Sequence, residues 1–418
     1  MFLAILVIAS SLFFTASVTT NNADPLTTDY IDTADTTTTD LPDSGDAPEN
    51  DNNSNDKTKA SWEQSAIQWL IDSQSPNGGW GAGSHSYQNV RDPNLVQTDP
   101  ATTAFAAMAL LKAGGPLKAN PHRDQIMKAL DRILKDIDSR PNNGRITSLE
   151  GTQPQVKLGQ HIDASMALEF LTDMSEQITD SELRSNVDKA AEICIDLIQG
   201  SQNVNGGWAG GGWAPVLQSA MANNALENAQ GKYDVDTKAI ENSRKYQADN
   251  VGRDGIKSGD AAGIELYAVV SAQKATSSEA TKTAALLPAS VRSAYQNGAI
   301  DGVEIAKELE AKGIKKDEAE RMANSYVVNE TSTKALQDEK IWEGFGNNGG
   351  EEYLSYMLAS ESLAQKSKDE WLKWKQTIEP KFKQSQNENG SWTGHHCITS
   401  PVFCTAAIVQ AWNAGNVR

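Results

Sequence analysis

Two kinds of hydrophobic pattern alternate along the chain. Segments such as 62–75 and 189–201 carry apolar residues on one helical face, whereas Ala101–Leu111 (ATTAFAAMALL) and Ala406–Trp412 (AAIVQAW) are apolar on every face. A helix with one apolar face lies at a surface, and a helix that is apolar all round is buried all round. The alternation therefore predicts amphipathic outer helices, each paired with a buried inner helix.

A seven-residue string, Q-x-x-N-G-[GS]-W, recurs three times after helical segments. Its copies are Gln74–Trp80, Gln202–Trp208 and Gln386–Trp392. The Asn-Gly pair supplies left-handed backbone geometry that ends a helix and turns the chain. The glutamine amide is placed to satisfy free carbonyls of the preceding helix, and the tryptophan to fill the junction between neighbouring hairpins. We interpret these strings as structural, and as the mark of an internal repeat.

The repeat predicts about six helical hairpins arranged as concentric rings of outer and inner helices, with all inner N-termini at one end. Asp99-Pro100 marks one such inner start, because an N-cap acid precedes a first-turn proline. Residues 300–341 are polar and rich in Lys and Glu, and we expect them to form a helical insertion outside the ring. The predicted outer/inner pairs are 60–75/100–113, 122–137/161–174, 181–201/214–229, 235–248/260–274, 280–297/350–365 and 367–386/402–414.

The three strings, with the helix after each, resemble the QW repeats of squalene and terpenoid cyclases and of protein prenyltransferases. This resemblance covers most of residues 58–418 and implies an all-α fold, the α/α toroid. Such toroids also occur as thioester domains and as polysaccharide lyases. The resemblance is therefore specific for the fold and much less specific for activity.

The catalytic signatures of these families are missing from the sequence. Protonating cyclases carry D-x-D-D, but the nearest string, Asp99–Ala104 (DPATTA), keeps one acid and has alanine at the catalytic third position. No D-D-x-x-D, D-x-C or C-G-E-Q string is present, so the signatures for diphosphate, zinc and thioester chemistry are not met.

The first 57 residues differ from the rest in composition. Met1–Val18 is apolar and uncharged, which is typical of a secretory signal peptide. We predict a signal over residues 1–19 and export to the periplasm or medium, with an uncleaved membrane anchor as the alternative. Residues 20–57 are rich in Thr, Asp and Asn and poor in large apolar side chains, which predicts a disordered tether.

The overall charge limits the partners of the folded part. The chain has 418 residues and a formal charge of −18, from 55 acidic and 37 basic side chains. Nucleic-acid and anionic-membrane surfaces need clustered Lys and Arg, so we expect neither partner. Nothing after residue 19 resembles a membrane span. A small molecule, a peptide or a glycan remains as a ligand, whereas the cofactor and the oligomeric state are left undetermined.

Polar residues gather near the C-terminal hairpins. Glu351 and Glu352 begin a predicted inner helix, and His395 and His396 precede the next one, so the four could meet at the mouth of a cavity as catalytic groups. Ser355 and Tyr356 share the helix face of the acids. His161 and Asp163 begin another inner helix and could join from across the ring. These last four residues are candidate ligand contacts.

Three interpretations of the neighbouring cysteines are open. Cys397 and Cys404 could form a disulfide in an oxidising compartment. Alternatively, His395, His396 and Cys397 could help to bind a soft divalent metal, with Glu351 or Glu352 as ligand or base. In the third interpretation the polar groups are satisfied locally and the cysteines are buried thiols.

Two functional hypotheses follow. In the first, the chain is an exported binding protein whose central cavity accommodates a peptide, a glycan or an apolar ligand without turnover. In the second it is an enzyme that uses Glu351, Glu352, His395 and His396, either as an isoprenoid cyclase or transferase or as a polysaccharide lyase. An aromatic content of 6% disfavours a cation-stabilising cyclase pocket, and acid-rich inner helices disfavour a polyanion lyase.

Overall fold

The computed structural model of the chain describes residues 61–208, 211–252 and 255–416. The predicted signal (1–19) and tether (20–57) lie outside the described residues. In the described part, none of the helices is both long and apolar enough to cross a membrane. The helices and strands are α1 (Trp62–Asp72), α2 (Pro100–Gly114), α3 (Arg123–Asp138), α4 (Gln153–Leu158), α5 (Ile162–Gln177), α6 (Ser181–Gly200), α7 (Pro215–Ala229), α8 (Thr237–Ala248), β1 (Val251–Gly252), β2 (Gly255–Ile256), α9 (Glu265–Leu286), α10 (Ala289–Gln296), α11 (Gly302–Ala311), α12 (Lys316–Ala335), α13 (Glu339–Trp342), α14 (Gly350–Lys366), α15 (Lys368–Ser385) and α16 (Pro401–Trp412).

Six of these helices form a closed inner ring. Each of α2, α5, α7, α9, α14 and α16 packs against the next, and α16 returns to α2. The inner helices are buried on all faces, as their composition predicts; in α2 every residue from Pro100 to Leu111 is buried. The all-α toroid expected from the sequence is confirmed.

An outer layer of amphipathic helices covers the ring. Helix α3 lies on α2, α6 on α5, α8 on α7 and α9, and α15 on α14, while α1 covers α16 and α2. Helix α3 shows the cause, since it buries Ile126, Ala129, Leu130, Ile133 and Ile137 at spacings of one helical face.

The fifth hairpin differs from the prediction. The inner helix α9 continues to Leu286, and α10, which follows it, has no buried residue. The outer position on α9 is occupied by α12, which lies within the segment expected as an insertion. Polar contacts form much of this interface: the Asn329 amide donates to the Gln273 carbonyl at 3.0 Å and the Ser325 hydroxyl to Glu279 at 2.6 Å. A polar interface leaves no apolar stripe to read, which is why the sequence pattern misplaced this helix.

The three repeated turns share one geometry. The indole N–H of Trp80, Trp208 and Trp392 donates to a carbonyl in the last turns of the preceding outer helix, at 2.8–2.9 Å. All three tryptophans are at most 1% exposed. The expectation that they fill the hairpin junctions therefore agrees with the structure.

The glutamines of these turns act differently from the expectation. The Gln74 amide donates to the Gly78 carbonyl of its own turn and to the Gln125 carbonyl at the start of α3, at 2.8 and 2.9 Å. Gln202 and Gln386 repeat this with carbonyls of α8 and α1. Each glutamine thus links its turn to the next outer helix, rather than capping the helix before it. The last of these links, to Trp62 of α1, closes the ring.

Candidate ligand site at the mouth of the ring

The N-termini of the six inner helices meet at one end of the ring, which we call the mouth. The Ala101 amide at the start of α2 donates to Asp163 of α5 at 3.3 Å. The Tyr267 hydroxyl at the start of α9 donates to Glu352 of α14 at 2.5 Å. The Ile398 amide, just before α16, donates to Glu351 at 3.2 Å. The predicted common orientation of the inner helices is therefore present.

The centre of the ring is filled deeper down. Lys112 of α2 and Lys274 of α9 come from opposite sides of the ring, and both pair with Glu361 of α14, the second at 2.8 Å. Gln410 of α16 accepts from Lys112 at 2.8 Å. The side chains of Lys112, Lys274 and Glu361 are at most 10% exposed. These side chains close the centre of the ring, and the predicted site residues lie at the mouth.

The paired glutamates are both fully buried in the first turn of α14. The Glu352 carboxylate accepts from the Gly349 amide at 2.7 Å as well as from Tyr267. Glu351 accepts from Ile398 through Oε2, whereas its Oε1 is buried without a hydrogen-bond partner. Burial, and then the neighbouring Glu352 charge, raises the pKa of Glu351 from 4.5 to about 8. Glu351 is therefore a neutral carboxylic acid at pH 7.

One of the two predicted histidines joins these acids. His396 Nε2 lies 2.8 Å from the Asn347 carbonyl and 3.8 Å from Glu352. His395 is exposed, and its contact with the site is a backbone one, from its amide to the Asn348 carbonyl at 2.8 Å. The structure therefore brings together Glu351, Glu352 and His396 but not the exposed His395 ring.

The other predicted ligand contacts have local partners. The Ser355 hydroxyl donates to the Glu351 carbonyl at 2.8 Å within its own helix. The Tyr356 hydroxyl donates to the Trp342 carbonyl at 3.0 Å, and its ring packs against outer helix α15. His161 lies beside the exposed Gln160 amide, at 3.1 Å. None of these three side chains is directed at Glu351 and Glu352.

Asp163 belongs to a second buried acid pair rather than to the glutamate site. Its partners are the Ala101 amide and the Gln155 side chain, at 3.3 and 2.7 Å. Burial, followed by the charge of Asp99, raises the pKa of Asp163 to about 7. Asp99 caps α2 by accepting from Thr102 at 2.8 Å, and burial raises its pKa to about 6. Both acids therefore hold helix starts in place.

The cysteines are free thiols, so the candidate disulfide between Cys397 and Cys404 is absent from the structure. The Cys404 thiol is fully buried and donates to the Ile398 carbonyl at 3.8 Å. Cys397 has a left-handed backbone, with φ 60°, and its half-buried side chain lies near Glu351 and Lys157. Burial, then the Glu351 charge, raises the pKa of Cys397 to about 12. Across the described ranges, no group of three or more His, Cys, Asp or Glu residues is arranged to hold a metal ion.

Two exposed aromatic side chains at the mouth were missed by the sequence analysis. Trp213 is 37% exposed and Phe345 is 51% exposed, and their ring centres lie 6.5 Å apart. Both follow glycines in irregular loops, where neither periodicity nor a repeat signals a role. The sequence feature that could have identified them is a large aromatic residue within a Gly-rich string (GGGW and EGFG). A turn of this kind does not need an aromatic side chain for its own folding.

Comparison with known families addresses the fold. The sequence profile of the squalene-hopene cyclase C-terminal domain matches residues 51–132, which include α1, the first repeated turn and α2. Over this region the chain is similar to the squalene cyclase family, and the match agrees with the α/α-toroid fold of the structure. No curated protein matches the sequence of this toroid.

Asp99 lies within the matched residues 51–132. There Asp99 is an N-cap at the start of α2, bonded to the amides of Thr102 and Ala82 at 2.8 Å. Its two oxygens are therefore both used by backbone donors. The family match thus supports the toroid fold and does not identify a reaction.

Proposed function

We propose that the chain is an exported protein that binds a ligand at the mouth of its toroid without converting it. The observation that carries the proposal is the position of Trp213 and Phe345. They are large aromatic side chains left in contact with solvent, and they pack against Tyr267 and His396, the two neighbours of the buried Glu352. Exposed aromatic surface beside convergent polar groups is typical of ligand sites.

The position of the site follows from the packing. Because Lys112, Glu361 and Lys274 bridge the ring towards the C-terminal ends of α2 and α14, a ligand that enters at the mouth cannot pass through the ring. The loops that carry Trp213 and Phe345 are anchored at that end: the Trp213 amide donates to the Lys157 carbonyl at 2.9 Å. Anchored aromatic rings lose little entropy on binding, which favours recognition.

Export is the second part of the proposal. It rests on the uncharged apolar stretch Met1–Val18 and on the acidic, polar composition of residues 20–57. Such a leader and linker would deliver the toroid across a membrane and hold it in solution.

The binding proposal is tested on the indole of Trp213 itself. With 15N-labelled indoles, fragments offering peptide-like, sugar-like and apolar groups should shift the Trp213 N–H resonance in a saturable way. Trp213→Ala should identify that resonance by removing it. Tyr87→Ala is the matched control, because Tyr87 is also an exposed aromatic residue (67%) in a loop and does not contact Trp213. If no fragment class shifts Trp213 more than the other indoles, the mouth is not a ligand site.

One observation favours an enzymatic alternative. Glu351 is a neutral, buried acid with one free oxygen, which is the state that a proton donor requires. In this alternative Glu351 donates a proton to a ligand at the mouth, and Glu351→Gln abolishes turnover while ligand affinity is retained. Equal turnover by the variant and the parent protein would eliminate this role.

A further inference from the structure

The residues at the mouth form a closed loop of neighbours. The Trp213 ring lies 6.4 Å from Tyr267, which donates to Glu352. Glu352 lies 3.8 Å from His396, whose ring centre is 4.8 Å from Phe345, and Phe345 returns to Trp213 at 6.5 Å. We call these five residues the aromatic box. Its floor, Tyr267 and Glu352, is fully buried, and its rim is open to solvent.

The charge at the floor of the box lacks a permanent positive partner. Among the described residues, no Lys or Arg nitrogen lies within 4.0 Å of Glu351 or Glu352; the ion-pair contact found is with His396. Glu361, a buried carboxylate deeper in the ring, does have such partners in Lys112 and Lys274. Oε1 of Glu351 is a further buried oxygen without a hydrogen-bond partner. A buried carboxylate is costly unless it is paired.

One cation already uses a ring of the box. The ammonium of Lys157 lies 5.0 Å from the centre of the Trp213 ring. The faces of aromatic rings carry negative electrostatic potential and attract ammonium and guanidinium groups, best of all with tryptophan. The Trp213 ring therefore already forms a cation–π contact, and the rest of its surface is partly exposed to solvent.

From this arrangement we infer that the ligand of the mouth is an organic cation, of the alkylammonium class, whose charged group binds on the solvent-exposed faces of Trp213 and Phe345, on the side of the box opposite the buried Glu352. Proteins commonly bind bulky, weakly hydrated cations with aromatic rings beside an acidic side chain. A neutral sugar or peptide could donate hydrogen bonds to a carboxylate but would gain neither the charge attraction nor the cation–π contact. This inference rests on the proposed function and narrows its ligand class.

The charge of the ligand is tested with an isosteric pair. Choline and its uncharged analogue, in which carbon replaces the quaternary nitrogen, differ in charge and hardly in shape. Titrated into the full-length protein by calorimetry, choline should bind at the mouth about tenfold more tightly than the neutral analogue, because the cation–π contribution is lost. Equal affinities would overturn the inference and leave the proposed mouth site standing. If neither of these compounds nor any of the fragments shifts the Trp213 resonance, the proposed function fails as well.

Two variants test the box itself. Phe345→Leu keeps apolar surface and removes the ring face, so choline affinity should fall about as far as in Phe345→Ala, by roughly fivefold to tenfold. Retention of full affinity in Phe345→Leu would show that the rim supplies hydrophobic contact alone. Tyr87→Ala, outside the box, should bind choline as the parent protein does.

The last variant tests the sign of the charge. Lys157→Met removes a like charge next to the site, so the affinity for choline should rise. If the affinity for choline stays unchanged or falls instead, the cation does not bind beside Lys157, and the inference is wrong.

Discussion

At the scale of single residues, the molecule places ionisable groups where helix starts meet. Glu351, Asp163 and Asp99 are all buried at inner-helix N-termini, and burial is the first cause of their raised pKa values. Each accepts backbone hydrogen bonds, which favour the charged form, but burial outweighs them. At pH 7 the mouth therefore carries a protonated Glu351, a partly protonated Asp163 and a mostly ionised Asp99, so that its charge depends on pH.

Glu351→Gln tests this dependence. The pKa of Glu351 is raised from 4.5 to about 8 on folding, so the unfolded chain ionises first as pH rises. The folded protein therefore has its full stability below pH 4.5, where Glu351 is protonated in both states. It loses stability as pH rises from there through about 8, because only the unfolded chain ionises easily. Relative to the parent protein, the variant should therefore gain about 4 kcal/mol in free energy of unfolding between pH 5 and pH 9.

The measurement is urea unfolding at both pH values, with Glu182→Gln as the control. Glu182 is also a first-turn glutamate, of α6, but it is exposed. Its substitution should change stability equally at both pH values. A Glu351→Gln variant that behaves in the same way would show that Glu351 is ionised in the folded protein.

The sequence predicted some of these residues and missed others for a physical reason. Glu351, Glu352 and His396 were expected to meet because each lies next to an inner-helix start, and helix starts are readable from caps and periodicity. Trp213 and Phe345 lie in irregular glycine-containing loops. The position of such a loop depends on tertiary contacts, such as that of Trp213 with Lys157, which a single sequence does not display.

At the scale of elements, the repeated turn is the unit that determines the architecture. It was predictable because its parts are local: an Asn-Gly bend and a tryptophan ten residues after the carbonyl that it binds. The glutamine link to the next outer helix was not predictable, since it joins residues as far apart as Gln74 and Gln125. The fifth hairpin was misplaced because polar contacts, rather than an apolar stripe, attach α12 to α9.

Gly206→Ala tests how tightly a turn fits its neighbour. Gly206 has φ +89°, and a Cβ there would lie 2.3 Å from the Asn242 carbonyl oxygen of α8. The left-handed backbone costs about 1 kcal/mol for alanine, and the clash adds backbone displacement, so we expect a loss of about 3 kcal/mol in free energy of unfolding.

Gly144→Ala separates the two causes. Gly144 also has a positive φ, +79°, but nothing lies within 4 Å of a Cβ built there. Its substitution should cost about 1 kcal/mol, the contribution of the backbone conformation alone. Equal losses for the two variants, measured by urea unfolding, would mean that the turn does not interlock with α8.

At the scale of the whole molecule, two sets of contacts make the repeats into a ring. The first is the seam, where Glu63 of α1 accepts from the Trp412 indole at 3.1 Å and from Asn413 at 2.9 Å. Trp62 packs edge-on against both Trp392 and Trp412. The second is the bridge of Lys112, Glu361 and Lys274 across the centre. An open array of repeats can fray from its ends, whereas here both ends are joined to each other.

Substitutions can separate the desolvation energy of the central bridge from its contribution to stability. Glu361→Leu leaves Lys112 and Lys274 buried without their shared carboxylate, so the free energy of unfolding should fall by about 3–5 kcal/mol. Adding Lys112→Met and Lys274→Met removes the orphaned charges and fills similar volume. Stability should then return to the parent level or exceed it, because burying these ions costs desolvation energy that their attraction only partly offsets.

Calorimetric unfolding of the parent, single and triple variants makes the comparison, with Lys135→Met on the exposed face of α3 as the control for loss of a lysine charge. If the triple variant stays as unstable as Glu361→Leu, the bridge contributes hydrogen-bond geometry that apolar packing cannot replace. If it recovers and choline still binds as in the parent, the mouth does not depend on the charges that close the ring.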